Sequence, residues 1–502
     1  MPETVPAKLK ALAQKEPLVA LMKAFKAAFK GAELYVVGGT VRDALLGRSD
    51  NKDYDLVARG VPADALEKFL KKLGRVDLVG KRFGVWKFLP KDAALSHAID
   101  VALPRTEHSF NEGGYRDVSV ASDPSLPIEQ DLARRDFTVN AMAFRLVPRL
   151  ALIDPFNGRK DLRAKIIRTV GNPAERFKED YSRMLRAIRF TCQLGFALDE
   201  ETKLAIRVFM KHINDVRPTP NGNMRIVSTE IIAREIIKAL VKDPVTAFDL
   251  LYETGATEIL MPELLAMRHC TQPPNFHSEG DVWEHTRLAL ARIGDEGFME
   301  RFGEKPTPLV YLATLFHDIG KPPARQSPEE HGTDRIRFND HDRIGSEMTE
   351  TIARRLTLSA PEDVGVDTEK LVWIVRYHLF TVHGKIDEIR PTTLEKYFFN
   401  PNLPGRELLM VIYCDSMATI PEGGLTKKHL QHLDLLMKRI DELEKLGAGR
   451  TLPPPILDGV QIMKLLGLKP GPEVGVIIND LREAQLAGKV KTEAEAKKFV
   501  KK

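Results

Sequence analysis

The sequence predicts an α+β head followed by an all-helical remainder, and three observations carry that prediction. Short apolar runs at residues 34–37, 56–58, 85–89 and 98–102 alternate with helical stretches such as 63–73. After Ile153 the strand signals nearly stop, and helical periodicity runs through residues 176–194, 200–213, 228–240 and 245–252. The 502 residues, 43% apolar and 29% charged, have the balance of a globular chain, and at ~150 residues per domain they amount to about three domains.

The leading segment carries Leu18, Leu21, Met22, Phe25 and Phe29 at helical spacing, with Lys23, Lys26 and Lys30 between them. No small-residue cleavage site follows, so it reads as an amphipathic helix rather than a targeting segment. No stretch approaches the ~20 apolar residues that a bilayer span requires, so no membrane association is expected. Cys192, Cys270 and Cys414 are odd in number and far apart, which suits a reducing, cytoplasmic compartment better than a disulfide framework. The net charge of +5 decides nothing about nucleic acid, because phosphate contacts would come from local patches. The lysine-rich end, 489–502, is either a phosphate-contacting or a solvated helical end.

Within the head, Gly38-Gly39-Thr40-Val41-Arg42-Asp43 follows a predicted strand and opens a short helix. Two glycines allow backbone N–H groups to approach an anion closely, the helix start adds a positive dipole end, and Arg42 adds a charge. A turn of this kind also serves purely structural needs. Asp53-Tyr54-Asp55 downstream weighs for chemistry: residues i and i+2 of a strand share a face, so both carboxylates converge, and a divalent cation, Mg²⁺, relieves their repulsion. The alternative is a solvated strand end. Asp100, the polar position of an apolar strand, is either a third oxygen ligand or an ordinary interruption. Three carboxylates can hold two Mg²⁺ ions, one at an attacking 3′-hydroxyl and one at a triphosphate. Arg134, Arg135 and Asp136 suit phosphate oxygens and a ribose hydroxyl, or form a surface ion-pair cluster.

These motifs, Gly-Gly-x-Val-Arg-Asp with Asp-x-Asp, then Arg-Arg-Asp-Phe-Thr-x-Asn-Ala, then Asp154-Pro-Phe-Asn157-Gly158 with Asp161, resemble the head of the class II tRNA nucleotidyltransferases, the CCA-adding enzymes and bacterial poly(A) polymerases. The resemblance implies a polymerase-beta-like nucleotidyltransferase head. It puts Asp53 and Asp55 on the metal, Gly39, Arg42 and Arg135 at the nucleotide, and Asp100 where the family commonly has a carboxylate before its flexible loop. The polar, glycine-hinged loop from Pro104 to Arg116 matches that loop, which the family needs to add the terminal A.

Beyond the head, Glu179-Asp180-Tyr181-Ser182-Arg183 opens a predicted helix with Asp180, Arg183 and Arg186 at i, i+3 positions on one face. A carboxylate accepts and a guanidinium donates, so the pair matches the amino donor and ring-nitrogen acceptor of C and A and opposes U and G. An isolated Asp-x-x-Arg is also an ordinary surface ion pair. The segment is similar to the family's templating motif, which assigns Asp180 and Arg183 to base selection and Arg186 and Arg189 to support.

Eight of the 13 histidines lie between His269 and His383. His285, His317-Asp318, His341, His378 and Asp415 offer mixed nitrogen and oxygen ligands that suit Mn²⁺, Fe²⁺, Ni²⁺ or Zn²⁺ and would activate water. His269, His331 and His383 read as ordinary packing or surface residues. His-Asp followed by Ile-Gly-Lys321-Pro resembles the HD phosphohydrolase superfamily. That resemblance assigns His285, His317, Asp318 and Asp415 as ligands and leaves His341 and His378 for a second metal; in CCA-adding enzymes that carry an HD domain it implies either hydrolysis of nucleotide 2′,3′-cyclic phosphates or tRNA ends, or a structural role alone.

The expected organisation is an N-terminal helix (1–30), nucleotidyltransferase head (31–150), helical neck and body (151–268), HD domain (269–440) and helical tail (441–502). The expected activity is addition or repair of the 3′-terminal CCA of tRNA from CTP and ATP. The expected partner is the tRNA acceptor arm, and a homodimer is compatible with the reading. The rivals are a bacterial poly(A) polymerase, a CC-only adding enzyme and an HD phosphohydrolase whose head only binds RNA.

Overall fold

The computed structural model describes residues 5–16, 18–48, 54–78, 85–91, 98–109, 112–114, 118–220, 222–381, 385–425, 430–445 and 454–501. Asp53, His383 and the Arg116 end of the loop lie outside the described residues. The chain divides into two compact units, Met1–Ile259 and Leu260–Lys502.

The first unit is built on a seven-stranded sheet of order β3-β4-β5-β2-β1-β8-β9. Its strands are β1 (Glu33–Val37), β2 (Asp55–Arg59), β3 (Gly74–Leu78), β4 (Val85–Pro90), β5 (Ile99–Ala102), β8 (Ala143–Val147) and β9 (Ala151–Ile153), and a separate hairpin pairs β6 (Arg105–Ser109) with β7 (Val118–Ser122). All four apolar runs read from the sequence are strands of this sheet. Neighbours are antiparallel except β2 and β5, which are parallel.

Strand alternation sorts the core onto two faces. Tyr35, Val37, Val57 and Ala143 share one buried cluster with Ile128 and Leu132. Leu34, Val36, Leu56 and Phe144 are buried at the alternate positions. The leading amphipathic helix is Leu18–Ala28, and its Phe25 meets Phe69 of helix Ala63–Leu73 edge-on at 6.0 Å. Below the head, helix Ser182–Leu194 packs on helix Thr229–Lys242, which Ser228 caps through the Ile231 amide.

Three local features depart from the sequence reading. Residues 105–109 form a strand rather than loop, because a run of polar residues gives no apolar alternation to detect. The predicted helix over 176–194 is two helices, Pro173–Glu179 and Ser182–Leu194. Asp180 stands between them at φ −158°, its carboxylate accepting from the Ser182 amide at 2.9 Å, a local bond that competes with helix continuation. Helix 200–213 ends as α-helix at Phe209 and finishes in a 3₁₀ turn, Met210–Asn214.

The second unit is helical among its described residues. Its core helices are Val282–Arg292, Pro308–Phe316, His341–Leu356, Thr368–Tyr377 and Gly405–Ala418. Helices Gly459–Leu466, Pro472–Leu486 and Glu493–Val500 share a separate apolar cluster around Ile462 and Leu481. Among the described residues, no helix is long and apolar enough to cross a membrane.

Phe144 is fully buried and lies opposite Val36 on β1 and Leu152 on β9. Phe144→Ala is expected to destabilise the protein by roughly 3–5 kcal/mol through lost burial and a residual cavity, measured by thermal or urea unfolding.

Candidate functional site

In the first unit the site grows from one register. The Asp100 amide donates to the Tyr54 carbonyl at 3.0 Å, and the parallel pairing of β2 with β5 sets Asp55 directly opposite Asp100. Cross-strand partners share a face, so the two carboxylates stand side by side. Asp55 is exposed and Asp100 partly so, as donors to an incoming cation would be. Pairing of Val36 with Leu56 brings Asp55 level with the end of β1, where the chain enters the Gly38-Gly39 turn. Two adjacent carboxylate donors fit Mg²⁺, which prefers oxygen ligands.

Gly38 has φ +70°, and a Cβ there would fall 2.7 Å from Arg135 Nη1. That backbone conformation is one that glycine adopts without strain, and a Cβ would push the end of the Arg135 side chain aside. It brings no side chain to the first turn of helix Gly39–Leu46, so the helix start offers backbone amides and its dipole to an anion. Arg42 is buried and largely committed: it donates to Asn140 Oδ1 at 2.6 Å and to both oxygens of Asp43 at 2.8 and 3.0 Å.

Asp136 is also committed, and this changes its expected role. Its Oδ1 accepts from the Phe137 amide (2.9 Å) and Asn140 Nδ2 (3.3 Å), and its Oδ2 accepts from Arg186 Nε at 3.0 Å and from Arg186 Nη2. Burial pushes its carboxyl up, but Arg186 beside it prevails and holds it at about 2. The carboxylate therefore anchors Arg186 rather than standing free for a ribose hydroxyl. Arg183 donates through Nη1 to Glu179 (2.5 Å) and the Arg176 carbonyl (3.1 Å), and through Nη2 to the Arg134 carbonyl (3.1 Å). The Arg183 amide donates to the Asp180 carbonyl at 3.1 Å, but the two side chains are oriented by different partners. Arg189 turns toward Glu235 (2.5 Å) and Gln193 (2.8 Å), so it joins the packing of helix Ser182–Leu194 on helix Thr229–Lys242. Phe190 gathers three guanidinium groups, Arg42, Arg186 and Arg189, at 5.6, 5.6 and 4.1 Å from its ring centre.

Gly113 of the loop bonds across this segment. Its amide donates to the Lys178 carbonyl and its carbonyl accepts from the Tyr181 amide, both at 2.9 Å. A Cβ at Gly113 would lie 1.9 Å from the Tyr181 ring.

In the second unit the six sequence-predicted ligands come together. His285 Nε2 lies 3.0 Å from Asp415 Oδ1, 3.3 Å from His317 Nε2 and 3.5 Å from Asp318 Oδ2. His341 Nε2 and His378 Nε2 lie 3.4 and 3.7 Å from Asp318 Oδ1, both buried and without a hydrogen bond. Buried ring nitrogens left unsatisfied around a shared carboxylate fit one metal ion at His285, His317, Asp318 and Asp415, and a second at Asp318, His341 and His378. Burial pushes His317 down and Asp318 up, but their mutual attraction prevails: His317 rises to about 10, and Asp318, with Lys321 at 2.6 Å, falls well below the usual carboxylate range. The cluster floors a cavity of about 910 Å³ lined also by His277, Lys321, Arg335, Phe338 and Arg376. Cations around such a floor suit a phosphate ester.

Sequence reasoning missed Lys321 and Glu279. Lys321 lay within the quoted His-Asp motif without a role, and it bonds Gln272 at 2.9 Å as well as facing Asp318. Glu279 is separated from His285 by five residues and gave no periodic signal.

Residues 34–168 match the family model of the poly A polymerase head domain, and residues 282–446 match that of the HD domain. An A-adding tRNA nucleotidyltransferase of Deinococcus radiodurans is 30% identical over 93% of this chain and 94% of its own. A multifunctional CCA protein of Alkalilimnicola ehrlichii is 35% identical over 72% of this chain and 78% of its own. Among solved structures, the Bacillus stearothermophilus CCA-adding enzyme in complex with CTP aligns over 99% of this chain and 98% of its own, with a TM-score of 0.61 and 22% identity. The Thermotoga maritima CCA-adding enzyme complexed with tRNA aligns over 99% and 96%, with a TM-score of 0.57 and 20% identity. At those identities the likeness speaks for the fold, which is the polymerase-beta-like head and helical HD architecture expected from the motifs.

Asp136 provides a pH test. Its folded value of about 2 lies below the 3.8 of an unperturbed aspartate, so its stabilisation, on the order of 2 kcal/mol, is present above pH ~4 and lost as the pH falls toward 2. The melting temperature of the wild type should therefore fall more steeply between pH 4 and pH 2 than that of Asp136→Asn, followed by circular dichroism.

Proposed function

This chain belongs to the tRNA nucleotidyltransferase/poly(A) polymerase family, and from that premise we propose that it adds or repairs the 3′-terminal CCA of tRNA, using CTP and ATP and no nucleic-acid template. The observation that carries the reading is the side-by-side placement of Asp55 and Asp100 at the mouth of the Gly38-Gly39 turn. The tRNA 3′-oxygen attacks the α-phosphorus of the nucleotide; the new O–P bond forms as the bond to the β-phosphate bridging oxygen breaks, and pyrophosphate leaves. Asp55 and Asp100, with Asp53, hold Mg²⁺, which when bound stabilises charge on the attacking and leaving oxygens. The helix start at Gly39 and Arg135 above the turn receive the triphosphate, and Arg42 braces the turn from below.

Base selection falls to Asp180 and Arg183. Among the described residues, three of the five guanidinium protons of Arg183 are engaged, by Glu179, Arg176 and Arg134, which fixes the plane in which the others point toward a base edge. Uracil or guanine would leave buried polar groups unpaired, at roughly 1–3 kcal/mol for each mismatch. Arg186, held by Asp136, supports that plane. The tRNA acceptor arm is recognised by shape and backbone, and the enzyme works in the cytoplasm. The working parts are the head (31–150), the neck and body (151–268), the HD domain (269–440) and the tail (441–502), preceded by the helix within 1–30.

The second unit is a metal-dependent phosphohydrolase in this reading. His285, His317, Asp318 and Asp415 hold one transition metal and His341 and His378 a second, whose chemistry is water activation. Lys321 and the cationic lining position a nucleotide 2′,3′-cyclic phosphate or a tRNA end. Hydrolysis of bis(p-nitrophenyl) phosphate with Mn²⁺ or Ni²⁺ should be lost in His317→Ala and retained in Asp55→Asn.

A second reading, addition of A alone, follows from a relative that spans nearly the whole chain and is named an A-adding tRNA nucleotidyltransferase. Transcripts ending before CCA, after the first C and after the second C, offered CTP, ATP or both, separate the two. CCA addition incorporates both nucleotides on the shortest transcript, an A-adding enzyme extends only the transcript ending in CC, and long A tails without CTP would exclude both. Asp55→Asn is expected to lower incorporation by about 10³-fold. Gly113→Ala, which must displace Tyr181, should reduce A addition more than C addition, read from the ratio of CC to CCA products.

A further inference from the structure

Four of the ligand histidines in the second unit present Nε2 to the cluster, but they are not held alike. His317, His341 and His378 each place Nδ1 2.7 Å from the carbonyl three residues back, of Thr314, Phe338 and Val375. Local backbone thus orients each ring without help from elsewhere. His285 does not use that bond. Its Nδ1 lies 2.9 Å from Glu279 Oε1, which comes from the segment before its helix.

The Glu279 side chain is entirely buried, and an ionised carboxylate excluded from water survives only with donors around it. It has three: His285 Nδ1, His277 Nδ1 at 2.6 Å, and the Ile420 amide, which donates to Oε2 at 2.9 Å. A carboxylate accepts and cannot donate, so both imidazoles must carry their proton on Nδ1 toward it. Nε2 is then the atom that His285 has left for a metal, and it is the atom facing Asp415, His317 and Asp318. His277, the second imidazole so held, lines the cavity above the cluster. The Ile420 bond ties the arrangement to the chain just beyond helix Gly405–Ala418, which carries Asp415.

We infer that Glu279 is a positioning residue of this site: it sets the ring orientation and tautomer of His285 for metal binding and aims His277 into the cavity, without ligating metal itself. Its two oxygens accept from both Nδ1 atoms and from the Ile420 amide, while the Nε2 side of His285 faces the cluster. The inference rests on the second unit being a metal site.

Calorimetric titration of the full-length, metal-free protein with Mn²⁺, together with the visible absorption spectrum of its Co²⁺ form, tests it. Glu279→Gln should bind Mn²⁺ 10–100-fold more weakly at unchanged stoichiometry and with an altered Co²⁺ spectrum, as loss of a carboxylate behind a ligating histidine does. Glu279→Asp, which keeps the charge, should fall between. Circular dichroism melting of the metal-free forms shows whether each variant is folded, and if Glu279→Gln is not, Glu279→Asp carries the comparison on the same criteria. Wild-type affinity and spectrum in the variant would overturn the positioning role. Loss of a whole equivalent of bound metal, rather than of affinity, would overturn it in favour of direct ligation. A wild-type protein that binds neither Mn²⁺ nor Co²⁺ would overturn the metal-site reading and this inference together.

Discussion

The first unit depends on one chain of polar contacts that runs from the glycine turn to helix Ser182–Leu194. Arg42 donates to Asn140, Asn140 to Asp136, and Asp136 accepts from Arg186, with Phe190 packed beneath the two guanidinium groups. Every link is buried or half-buried, so each charge needs its neighbour: removing one would strand a partner away from water at a cost of about 1–3 kcal/mol or more. The glycine turn and helix Ser182–Leu194 are thereby linked by side chains rather than by a shared backbone element. In the proposed function a nucleotide spans the same two features, phosphate at one end and base edge at the other.

This arrangement explains why arginines that look alike in sequence do different work. Arg183 donates to Glu179 and to the Arg176 and Arg134 carbonyls, Arg42 to Asp43 and Asn140, Arg186 to Asp136, and Arg189 serves helix packing through Glu235. A guanidinium is recruited by whichever acceptors its plane can reach, and that depends on tertiary neighbours far away in the chain. The break at Asp180 matters here too. A continuous helix would have stacked Asp180 and Arg183 on one face, where they would have neutralised each other; the break frees the carboxylate to cap Ser182 and leaves Arg183 to Glu179.

Much of the fold and part of the site were legible in the sequence, for identifiable reasons. The four head strands and the helices after Ile153 announced themselves because apolar periodicity reports burial directly. The six second-unit residues expected as ligands were legible because His-Asp flanked by apolar residues is an unusual pairing, and the structure gathers all six around Asp318, just past helix Pro308–Phe316. The polar strand Arg105–Ser109 was not, since periodicity is silent where no residue is apolar. Asp136 and Arg189 were identified as chemically notable without their protein partners, Glu279 was given no role, and the reason is common to the three: a hydrogen-bond acceptor is chosen in space, and Asp136 meets Arg186 across 50 residues while Arg189 meets Glu235 across 46. Even the five-residue gap between Glu279 and His285 carries no period that marks them as partners.

The two units meet the same physical difficulty with different devices. Each must keep several ionised groups out of water near a place where a phosphate or a metal arrives. The first unit does it with arginines, whose planar forks bind two acceptors and never lose their charge, so its geometry is insensitive to proton exchange over a wide range of pH. In the proposed function the second unit uses imidazoles, which can give up a proton to make room for a metal, and backbone carbonyls and Glu279 meet the other ring nitrogen. The choice follows from what each site has to do. A nucleotide brings negative charge and calls for permanent cations, whereas a metal ion brings positive charge and calls for donors that become neutral or negative on demand.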